Sequence, residues 1–455
     1  MSNNTLPRIY FHSSEKYTHE ILKKTLEKYS DFIELIDSTE SIDFDNLEKN
    51  VKSLVWLEYE DLPFEKLQAS SNPASHNFDT LFANSYCIRK GLIRKAQNAN
   101  CIKHYVAKNP DSILVTGVPE TWILELDDLD YLDEALDECF EVRDSLNENE
   151  SIFSGEITDK KTTKFILKPS MTSKGAGIYI FDSFERLEKI LEDELEDTDE
   201  EEKVEEESDH DDKKEIDWSS AGYGSAASQI REFVIQRYID NPLLLKNYGS
   251  RKFHIRTYCA AISGIKVFVY KQMLALFASS TYDRNFENPA DVFSHITNTH
   301  VQTENEEFDP NNVVFSFWDL ANSADSSLDN EINISDLENI YSQIKKLTGE
   351  VFDAVSNQPT NFQPWPNCFE VFGLDFIVDD NFNVFFLEAN AYPDFKQTGQ
   401  DLQNIVHGFL DSVSNLAVSE FFDLDLDSLN VDRKFDDNLE LVLTKQLSGS
   451  NFKRI

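Results

Sequence analysis

The N-terminal part of the chain alternates between short apolar runs and a segment with helical spacing. Three runs have the composition of strands: RIYFH (8–12), DFIELI (31–36) and SLVWLEY (53–59). Between the first two, residues 15–27 carry apolar side chains at the spacing of a helix. Strand, helix and strand in this order predict a small α/β lobe with a parallel sheet over residues 1–75. SSNPASHN (70–77) has the composition of a loop.

The middle of the chain begins with a basic segment and continues with β-rich runs. Residues 85–107 predict a helix and form the most basic stretch of the sequence. ILVTG (113–117) and TWILEL (121–126) predict a pair of strands. KFILKPSMTSKGAGIYIF (164–181) predicts two strands joined by a loop of small and cationic residues. A helix is predicted to follow and to run into a strongly acidic segment.

The second half of the chain is rich in β-branched and aromatic residues. Four runs predict strands or a hairpin: REFVIQRYID (231–240), RKFHIRTYCAAI (251–262), KVFVYKQMLALFA (266–278) and CFEVFGLDFIVDDNFNVFFLEANAYPD (368–394). The last is the hairpin, in which two β-rich runs flank the turn DDNFN. Helices are predicted over 335–357, where apolar residues recur on one face, and over about 400–419.

Length and charge narrow the class of protein. A chain of 455 residues is expected to form two or three packed domains, and 40% apolar residues suffice to fill their cores. Acidic residues outnumber basic ones by 84 to 42, which gives a formal charge of −42. Such a surface repels phosphate backbones, so direct recognition of nucleic acid through a basic face is excluded, whereas a local basic pocket is not.

Much of the negative charge is concentrated in one segment. Between Glu192 and Asp217, 17 acidic residues and 3 lysines give a net charge of −14. Such a segment cannot bury enough apolar surface to order itself, so we expect a disordered acidic insertion over about 192–228.

The sequence also predicts a compartment. Five scattered cysteines without a CxxC pair favour a reducing environment over a disulfide framework or a zinc knuckle. The first residues lack a basic region followed by an apolar stretch, and no apolar run approaches the roughly 20 residues of a membrane span. We therefore expect a cytoplasmic protein with no membrane partner.

The loop within residues 164–181 is the first candidate site. Lys168 ends a β-rich run, Lys174 adds a positive charge, and Gly175 and Gly177 allow close backbone approach. A glycine loop with lysines between two strands can clamp a triphosphate, although the sequence has no P-loop motif. The alternative is a solvated lysine on a hairpin.

The run RKFHIRTY is the second candidate. Strand alternation puts Lys252, His254 and Arg256 on one face and Phe253 and Ile255 on the other. A row of potentially cationic side chains on one face favours an anion opposite. The alternative is an exposed face of a sheet.

Oxygen-bearing side chains on the hairpin are the third candidate. Glu388 and Asn390 are two residues apart and share a face, and pairing across the turn can bring Asp375 alongside them. Hard oxygen ligands suit Mg²⁺, which takes few protein ligands together with phosphate oxygens. Because acids in otherwise apolar strands need a partner, the alternative to a metal is a structural salt bridge.

Together these segments resemble the ATP-grasp ligases of the tubulin–tyrosine ligase type. The similarity runs from about residue 85 to 394, and HITNTHVQ (295–302) is also similar to a family segment. It is dense in four places: LIRKA, FILKPSMTSKGAGI, FVIQRYIDNPLLL with RKFHIR, and FGLDFIVD with FFLEANAYPD. The resemblance implies an α/β ATP-grasp fold. Its units would be an N-terminal lobe (1–75), a central domain (76–240) and a C-terminal domain with an antiparallel sheet (241–455), with nucleotide between the last two.

The resemblance implies ATP and Mg²⁺ as cofactors and assigns roles by position. Lys95 and Lys168 match lysines that hold the α- and β-phosphates, and Arg256 matches an arginine that faces the acceptor carboxylate. The Mg²⁺ ligands would be Asp375, Glu388 and Asn390. The remaining nucleotide contacts would be Lys174, Gly175 and Gly177 in the glycine loop, Gln236, Arg237, Tyr238 and Ile239 beside the adenine, Lys252, and Thr297 and Asn298 near the ribose and phosphates.

Two positions depart from the family pattern, and both lie on the acceptor side in the family. The family strand usually reads KFDIR, whereas KFHIR here puts His254 in place of the acid. Leu276 stands where a later family strand usually presents an arginine. His254 could serve as a base for the amine, or it fills a position that no longer has a role.

The resemblance implies an ATP-dependent carboxylate–amine ligase that acts through an acyl phosphate, with a protein or amino-acid acceptor. Because tubulin tails and this chain are both acidic, we expect an acceptor other than tubulin. The alternative is a catalytically degenerate nucleotide-binding module that serves as a platform for protein interactions. The branch of the family found in fungal processing bodies is similar to this chain and implies mRNA decapping factors as partners and processing bodies as a location.

Overall fold

The computed structural model describes residues 5–38, 42–48, 50–71, 80–170, 177–194, 231–284, 286, 292–298, 301–302, 310–321, 332–395 and 402–446. These residues form three sheets with helices packed around them. Lys174, Gly175, residues 72–77 of the predicted loop and residues 195–228 of the predicted acidic insertion lie outside the described residues.

The first sheet is parallel and is formed by the N-terminal part of the chain. Its strands are β1 (Arg8–Phe11), β2 (Glu34–Asp37), β3 (Ser53–Trp56) and β4 (Leu81–Ala83), in the order β2–β1–β3–β4. Its helices are α1 (Lys16–Leu26) and α2 (Phe64–Ser70). The Glu15 carboxylate caps α1 by accepting hydrogen bonds from two backbone N–H groups. The parallel sheet matches the predicted lobe, and a fourth strand extends it beyond residue 75.

The second sheet is antiparallel, with the order β5–β8–β6–β7. Its strands are β5 (Thr121–Leu126), β6 (Phe165–Pro169), β7 (Tyr179–Phe181) and β8 (Arg231–Arg237). The helices before and around it are α3 (Lys90–Ile93), α4 (Lys95–Val106), α5 (Leu114–Gly117), α6 (Leu132–Asp137), α7 (Phe140–Phe153) and a helix over 184–194. Side chains from the sheet, α6, α7 and the 184–194 helix share one apolar core, which buries Leu136, Leu146, Phe165 and Leu187.

The third sheet is the largest and carries the predicted hairpin. Its strands are β9 (Phe253–Ile262), β10 (Lys266–Tyr270), β11 (Leu274–Phe277), β12 (Val314–Ser316), β13 (Phe369–Val378), β14 (Val384–Ala391) and β15 (Leu439–Thr444). β9 is central, because it pairs with β10, β11 and β13, and β13 pairs in turn with β14. The sheet therefore places the hairpin directly beside the RKFHIR strand.

Two long helices cover this region, and short helices connect its parts. The helix Ile334–Ser356 begins at a capping box between Asn333 and Asp336, and the C-terminal helix Gln403–Phe422 packs against α1. Single helical turns occupy Val292–His295 and Pro310–Val313. Short 3₁₀ helices occupy Glu27–Tyr29, Tyr59–Asp61, Leu129–Tyr131, Lys246–Tyr248, Phe317–Ala321 and Asp436–Asn438. Within the described residues, no helix combines the length and apolarity needed to cross a bilayer.

The prediction of a strand over 113–117 was wrong. The Ser112 hydroxyl accepts a hydrogen bond from the N–H of Leu114 and starts the helical turn α5 instead. Gly117 ends this turn against the long helix, where a Cβ would lie 2.4 Å from a methyl carbon of Leu347. Close packing against that helix therefore overrides the β-rich composition of the run.

The prediction of one continuous strand over 266–278 was also wrong. The run divides into β10 and β11, and both pair with β9 in an antiparallel direction. At the break, Lys271 donates its N–H to the Asn438 carbonyl and its own carbonyl accepts a hydrogen bond from Trp318. Contacts from distant segments therefore replace the strand pairing at this point.

Candidate functional site

A cleft lies between the second and third sheets, where β6 and β8 approach β9, β13 and β14. The empty space between its walls amounts to about 700 Å³, which includes open solvent. Most of the predicted site residues line it: Lys168, Gln236, Arg237, Tyr238, Ile239, Lys252, His254, Thr297, Asn298, Asp375 and Glu388. Lys95 lies where this cleft continues past Lys168 and Glu388. The fold therefore brings together three segments that are far apart in the sequence.

Lys168 is held in the wall formed by β6 and β8. Its ammonium group donates a hydrogen bond of 3.0 Å to the side-chain oxygen of Gln236, and the amide nitrogen of Gln236 donates to the Thr121 hydroxyl. Burial lowers the pKa of Lys168 to about 8; the nearby charge of Glu388 opposes this shift. The amine is thus fixed in position and hydrogen-bonded to a neutral group.

Lys252 lies beside Tyr238 just before β9. Its ammonium group donates to the Tyr238 hydroxyl at 2.9 Å and lies 4.1 Å from the centre of the Tyr238 ring, a cation–π distance. The same hydroxyl is 2.9 Å from Nδ1 of His295. Burial, reinforced by the charge of Lys168, lowers the pKa of Lys252 to about 7. A second buried lysine therefore faces the cleft with a neutral partner.

The opposite wall of the cleft carries matched charges. Arg256 donates two hydrogen bonds to Asp375, of 2.5 and 3.0 Å, in a bidentate pair. The Asn390 amide nitrogen lies 3.1 Å from an Asp375 oxygen and 3.4 Å from a Glu388 oxygen. Strand pairing explains this cluster, because Asp375 is in register with Arg256 on one side and Glu388 on the other. The predicted face-sharing of these three oxygen-bearing side chains is present in the structure.

Glu388 is ionised and compensated by cations. Lys95 begins helix α4, and its ammonium group lies 3.7 Å from a Glu388 oxygen. Burial raises the pKa of Glu388, but Lys95, Lys168 and Arg256 together outweigh burial and bring it down to about 2. The carboxylate is therefore charged at any physiological pH.

An irregularity in the hairpin brings two adjacent residues to the cleft. The register between β13 and β14 shifts after Asp375, so that Leu387 has no opposite residue on β13. Such a β-bulge interrupts the alternation of side chains, and Leu387 and Glu388 both line the cleft. An apolar contact surface and a charged group thus stand next to each other.

The oxygen cluster fits a divalent metal ion. The Asn390 amide contacts both Asp375 and Glu388, so the three side chains converge closely enough to share one ion. Two carboxylates and one amide oxygen form the hard, partly charged donor set that Mg²⁺ takes. A flip of the Asn390 amide would present its oxygen in place of its nitrogen, while Arg256 would share Asp375 with the ion.

The two positions that depart from the family pattern lie side by side. His254 and Leu276 are in register across β9 and β11. His254 Nδ1 lies 2.6 Å from the Thr297 hydroxyl, and its Nε2 lacks a hydrogen-bond partner within the described part of the chain. Burial lowers the pKa of His254 to about 4, so the ring is neutral at pH 7. Leu276 packs into an apolar cluster.

The glycine loop is described only at its end. Gly177 has φ of +68°, and a Cβ there would lie 2.7 Å from a ring carbon of Pro169. This position therefore requires glycine, because the Gly177 backbone lies directly against Pro169 at the end of β6.

Sequence reasoning missed the apolar part of the lining. Ile166, Ile178, Ile296, Ile377 and Leu387 all face the cleft. Strand alternation could have identified Ile377, because it is two residues from Asp375 on β13. His295 was also missed, although its segment was recognised; its role depends on the distant Tyr238 hydroxyl.

The chain is similar to known proteins along most of its length. A family model described as "Tubulin-tyrosine ligase family" matches residues 82–425. "Probable tubulin–tyrosine ligase PBY1" of Saccharomyces cerevisiae is 37% identical over 416 residues, which are 90% of this chain and 51% of that protein. A "Probable tubulin–tyrosine ligase" of Schizosaccharomyces pombe is 36% identical over 418 residues, which are 91% of this chain and 93% of that protein. The chain thus spans about half the length of the first relative.

A solved structure is also similar. It is described as the C-terminal domain from K. lactis Pby1, "an ATP-grasp enzyme interacting with the mRNA decapping enzyme Dcp2". The TM-score is 0.64 at 29% sequence identity, and the match covers 97% of this chain and 100% of that one. The similarity therefore includes the N-terminal lobe as well as the cleft.

Proposed function

Since the chain belongs to the tubulin–tyrosine ligase family and has the ATP-grasp fold, as the sequence predicted, we propose that it binds ATP and Mg²⁺ in the cleft. We further propose that it uses ATP to join a carboxylate to an amine. One observation carries the proposal: two buried lysines with neutral partners, Lys168 and Lys252, share the cleft with a cluster of carboxylate oxygens.

The lysines would hold the phosphate groups of ATP. A buried ammonium group without an ionised hydrogen-bond partner is costly, and an anion in the cleft would remove that cost. Phosphate oxygens are suitable anions, since they accept charge-assisted hydrogen bonds from several donors at once. Lys95, Lys168 and Lys252 would supply these donors, and the apolar side chains at Ile166, Ile377 and Leu387 would contact the base.

Asp375, Glu388 and Asn390 would hold Mg²⁺. When bound, the ion supplies positive charge between phosphate oxygens. Glu388 is already ionised, because its cationic neighbours lower its pKa to about 2. The ligand set would therefore need no loss of a proton from Glu388 before it binds the ion.

The proposed reaction has two steps. The terminal phosphoryl group of ATP moves to a carboxylate oxygen, which gives ADP and an acyl phosphate; the amine nitrogen then attacks the carbonyl carbon, and inorganic phosphate leaves as the amide forms. Lys95, Lys168 and Arg256 would stabilise the negative charge that develops during these transfers. His254 would be a weak base because its pKa is about 4, so the amine proton would pass to solvent or to the departing phosphate.

The acceptor is proposed to be something other than a tubulin tail. The net charge of −42 repels acidic peptides, and it remains −28 without residues 192–217. The altered pair His254 and Leu276 also removes two charged groups from the side that faces the acceptor in the family. A protein or amino-acid acceptor of lower negative charge would suit this cleft better.

A second candidate function is a nucleotide-binding module that acts as an interaction platform. The same two altered positions favour it, since the nucleotide side retains its predicted residues and the acceptor side does not. The K. lactis relative is described as interacting with a decapping enzyme. A similar partnership with mRNA decapping factors, in cytoplasmic processing bodies, is therefore proposed for this chain.

Purified protein with Mg²⁺ and ATP tests the proposal. ATP at 100 times its Kd should stabilise the folded state by about 2.7 kcal/mol, measured as a thermal shift. Lys168→Ala and Glu388→Gln should abolish the shift. Steady release of ADP upon addition of a candidate acceptor would support the ligase, whereas a shift without turnover would favour the platform.

Two variants outside the cleft serve as controls. Lys160→Ala removes a lysine that pairs with Glu148 at the surface, and Glu420→Gln removes a carboxylate that pairs with Lys266. Both should retain the full shift. No shift with wild-type protein at millimolar ATP would refute nucleotide binding in the cleft.

A further inference from the structure

Two histidines and an aspartate meet at the edge of the N-terminal lobe, far from the cleft in sequence. His12 follows β1, His19 lies on α1, and Asp37 ends β2. Each offers a ligand atom, and these atoms lie within 4.8 Å of one another. His12 and Asp37 lie at the carboxyl ends of two adjacent parallel strands, and His19 lies on the helix that joins these strands. The fold thus gathers three metal-ligating side chains from three separate elements.

The polar contacts within this cluster are long and incomplete. His19 Nε2 lies 3.3 Å from an Asp37 oxygen, and Lys23 lies 3.8 Å from the same oxygen. The backbone N–H of Ser13 donates to His19 Nδ1 at 3.4 Å. His12 Nδ1 is buried and has no hydrogen-bond partner within the described part of the chain. This ring nitrogen is therefore available to bind an ion.

We infer that His12, His19 and Asp37 bind a divalent transition-metal ion of the Zn²⁺ type. Two imidazoles and one carboxylate are a donor set that suits Zn²⁺, whereas Mg²⁺ prefers oxygen ligands alone. Ligand atoms about 2.0–2.1 Å from a tetrahedral ion lie roughly 3.4 Å apart, and the His19–Asp37 separation of 3.3 Å already matches. The ligand atom of His12 lies within 4.8 Å of the other two and would move closer upon binding, and solvent water would complete the fourth position.

Binding would rearrange two weak contacts. Lys23 is about half exposed, with 54% of its side chain accessible, so it can move away from Asp37 into solvent. Coordination through His19 Nε2 would place the ring proton on Nδ1, and the long hydrogen bond from Ser13 would be lost. Both contacts are weak, so their loss opposes metal binding only slightly.

The ion would fasten α1 to the sheet. α1 and the residues that follow it already contact the C-terminal helix through a buried hydrogen bond from Tyr29 to Asn415 and an ion pair of Lys28 with Asp411. A metal ion at the other end of α1 would fix the helix at both ends. Because the cluster precedes residues 82–425, which match the family model, the inference is independent of the proposed function.

Metal-free protein, prepared by dialysis against a chelator, provides the test. After equilibrium dialysis with Zn²⁺, elemental analysis should find one ion per chain, and Co²⁺ at the same site should give the intense visible absorption of tetrahedral coordination. His12→Ala and Asp37→Asn should each weaken Zn²⁺ binding at least about 100-fold, since even loss of a group that only orients a ligand costs 10–100-fold. Zn²⁺ should also raise the Tm of wild-type protein and not of these variants.

Three matched variants exclude other sites on this acidic chain. His104→Ala removes a histidine that contacts Gln358, Glu388→Gln alters the cleft, and His210→Ala removes the histidine of the acidic segment. Each should keep one Zn²⁺ per chain with unchanged affinity. Circular dichroism verifies folding, and His12→Gln replaces His12→Ala if the latter is unfolded.

The inference is overturned if wild-type protein binds no stoichiometric Zn²⁺, or if folded His12 and Asp37 variants bind it as tightly as wild type. Loss of Zn²⁺ only in the Glu388 or His210 variant would likewise overturn it, because the ion would then belong to the cleft or to the acidic segment. Neither result would affect nucleotide binding by the cleft, which the ATP-dependent thermal shift measures separately.

Discussion

The two walls of the cleft treat buried charge differently. On the third sheet, Arg256 pairs with Asp375 through two hydrogen bonds, and Lys95 lies 3.7 Å from Glu388. Lys168, on the opposite wall, donates to an amide oxygen, and Lys252, which directly precedes β9, donates to a phenol hydroxyl. The first group consists of ion pairs within the protein, whereas the hydrogen-bond partners of the two lysines are neutral and only the nearby charge of Glu388 compensates Lys168 in part.

This difference distinguishes charged groups that stabilise the fold from charged groups that are available to bind a ligand. Removal of either partner of a matched pair destabilises the folded chain, because it leaves the other partner as a buried charge without compensation. A buried lysine with a neutral partner opposes folding, and its retention needs another reason, such as binding of an anion. Mutation of the matched pair should therefore lower the stability of the protein, whereas mutation of these lysines should chiefly lower its affinity for the ligand.

Loss of the matched pair should have the largest effect. Arg256→Ala leaves Asp375 buried beside Glu388 without its guanidinium partner and should lower the free energy of unfolding by about 3–5 kcal/mol, measured by urea denaturation. Arg237→Ala is the control, because its ion pair with Glu120 is exposed and should contribute less than about 1 kcal/mol. Equal effects of the two substitutions would contradict the comparison.

Removal of the Lys168 charge should lower the affinity for ATP without lowering the stability of the protein. Lys168→Met keeps the length of the side chain and removes its charge; Glu388 keeps Lys95 and Arg256 as compensating cations, so the ligand-free protein should be about as stable as wild type. Affinity for ATP, measured by calorimetry, should fall on the order of 100-fold, because a charge-assisted contact to phosphate is lost. Lys160→Met, at an exposed position, should change neither quantity. Marked destabilisation by Lys168→Met would refute the distinction between the walls.

The lowered pKa values of the two lysines should make both stability and ATP binding depend on pH. The pKa values of Lys168 and Lys252 in the folded protein, about 8 and about 7, lie below the usual 10.5. The unfolded chain then binds more protons between pH 7 and 10.5, so the stability of the ligand-free protein should rise with pH across that window. Bound phosphates favour the charged amines, so ATP binding at pH 8 should take up roughly one proton and weaken as pH rises.

Calorimetry in buffers of different ionisation enthalpy measures this proton uptake. A Lys168→Met, Lys252→Met double variant should flatten the pH dependence of stability. If the stability of the double variant depends on pH as that of wild type does, groups other than Lys168 and Lys252 bind the protons.

Restoration of the family acid should have the smallest effect. His254→Asp places a third carboxylate near Asp375 and should lower the stability of the metal-free protein by about 1 kcal/mol. Mg²⁺ should reverse this loss, because it compensates the added charge. Thermal unfolding with and without Mg²⁺ measures both quantities, and His254→Asn controls for the loss of the ring. A Mg²⁺ effect of the same size in both variants would exclude a role for the added charge.

The hairpin and its oxygen cluster were predictable because they depend on local rules. Glu388 and Asn390 share a face by alternation, and the DDNFN turn brings the partner strand alongside. The pairing of Arg256 with Asp375 could not be derived in this way, since it depends on β9 and β13 being neighbours in the sheet. Resemblance to a family supplied the proposed roles of Lys95 and Thr297, which no local pattern indicates.

The errors in the fold have the same physical origin. Residues 113–117 and 266–278 have β-rich compositions, but contacts with Ser112, Leu347, Trp318 and Asn438 decide their structure. The His12–His19–Asp37 cluster was likewise invisible in the sequence, because its three residues come together only when β1 and β2 pair and α1 packs beside them.

The bulge at Leu387 allows the apolar lining of the cleft to change independently of its charged residues. As the extra residue of the bulge, it has no opposite residue, and Asp375 and Glu388 would remain in register if it were deleted. Evolution can therefore reshape the apolar floor of the cleft by insertion or deletion at this single point, without displacing the charged groups beside it. The ligand specificity of the cleft can therefore change without moving Asp375 and Glu388. Members of such a family can differ in their apolar contacts while they keep the same charged residues.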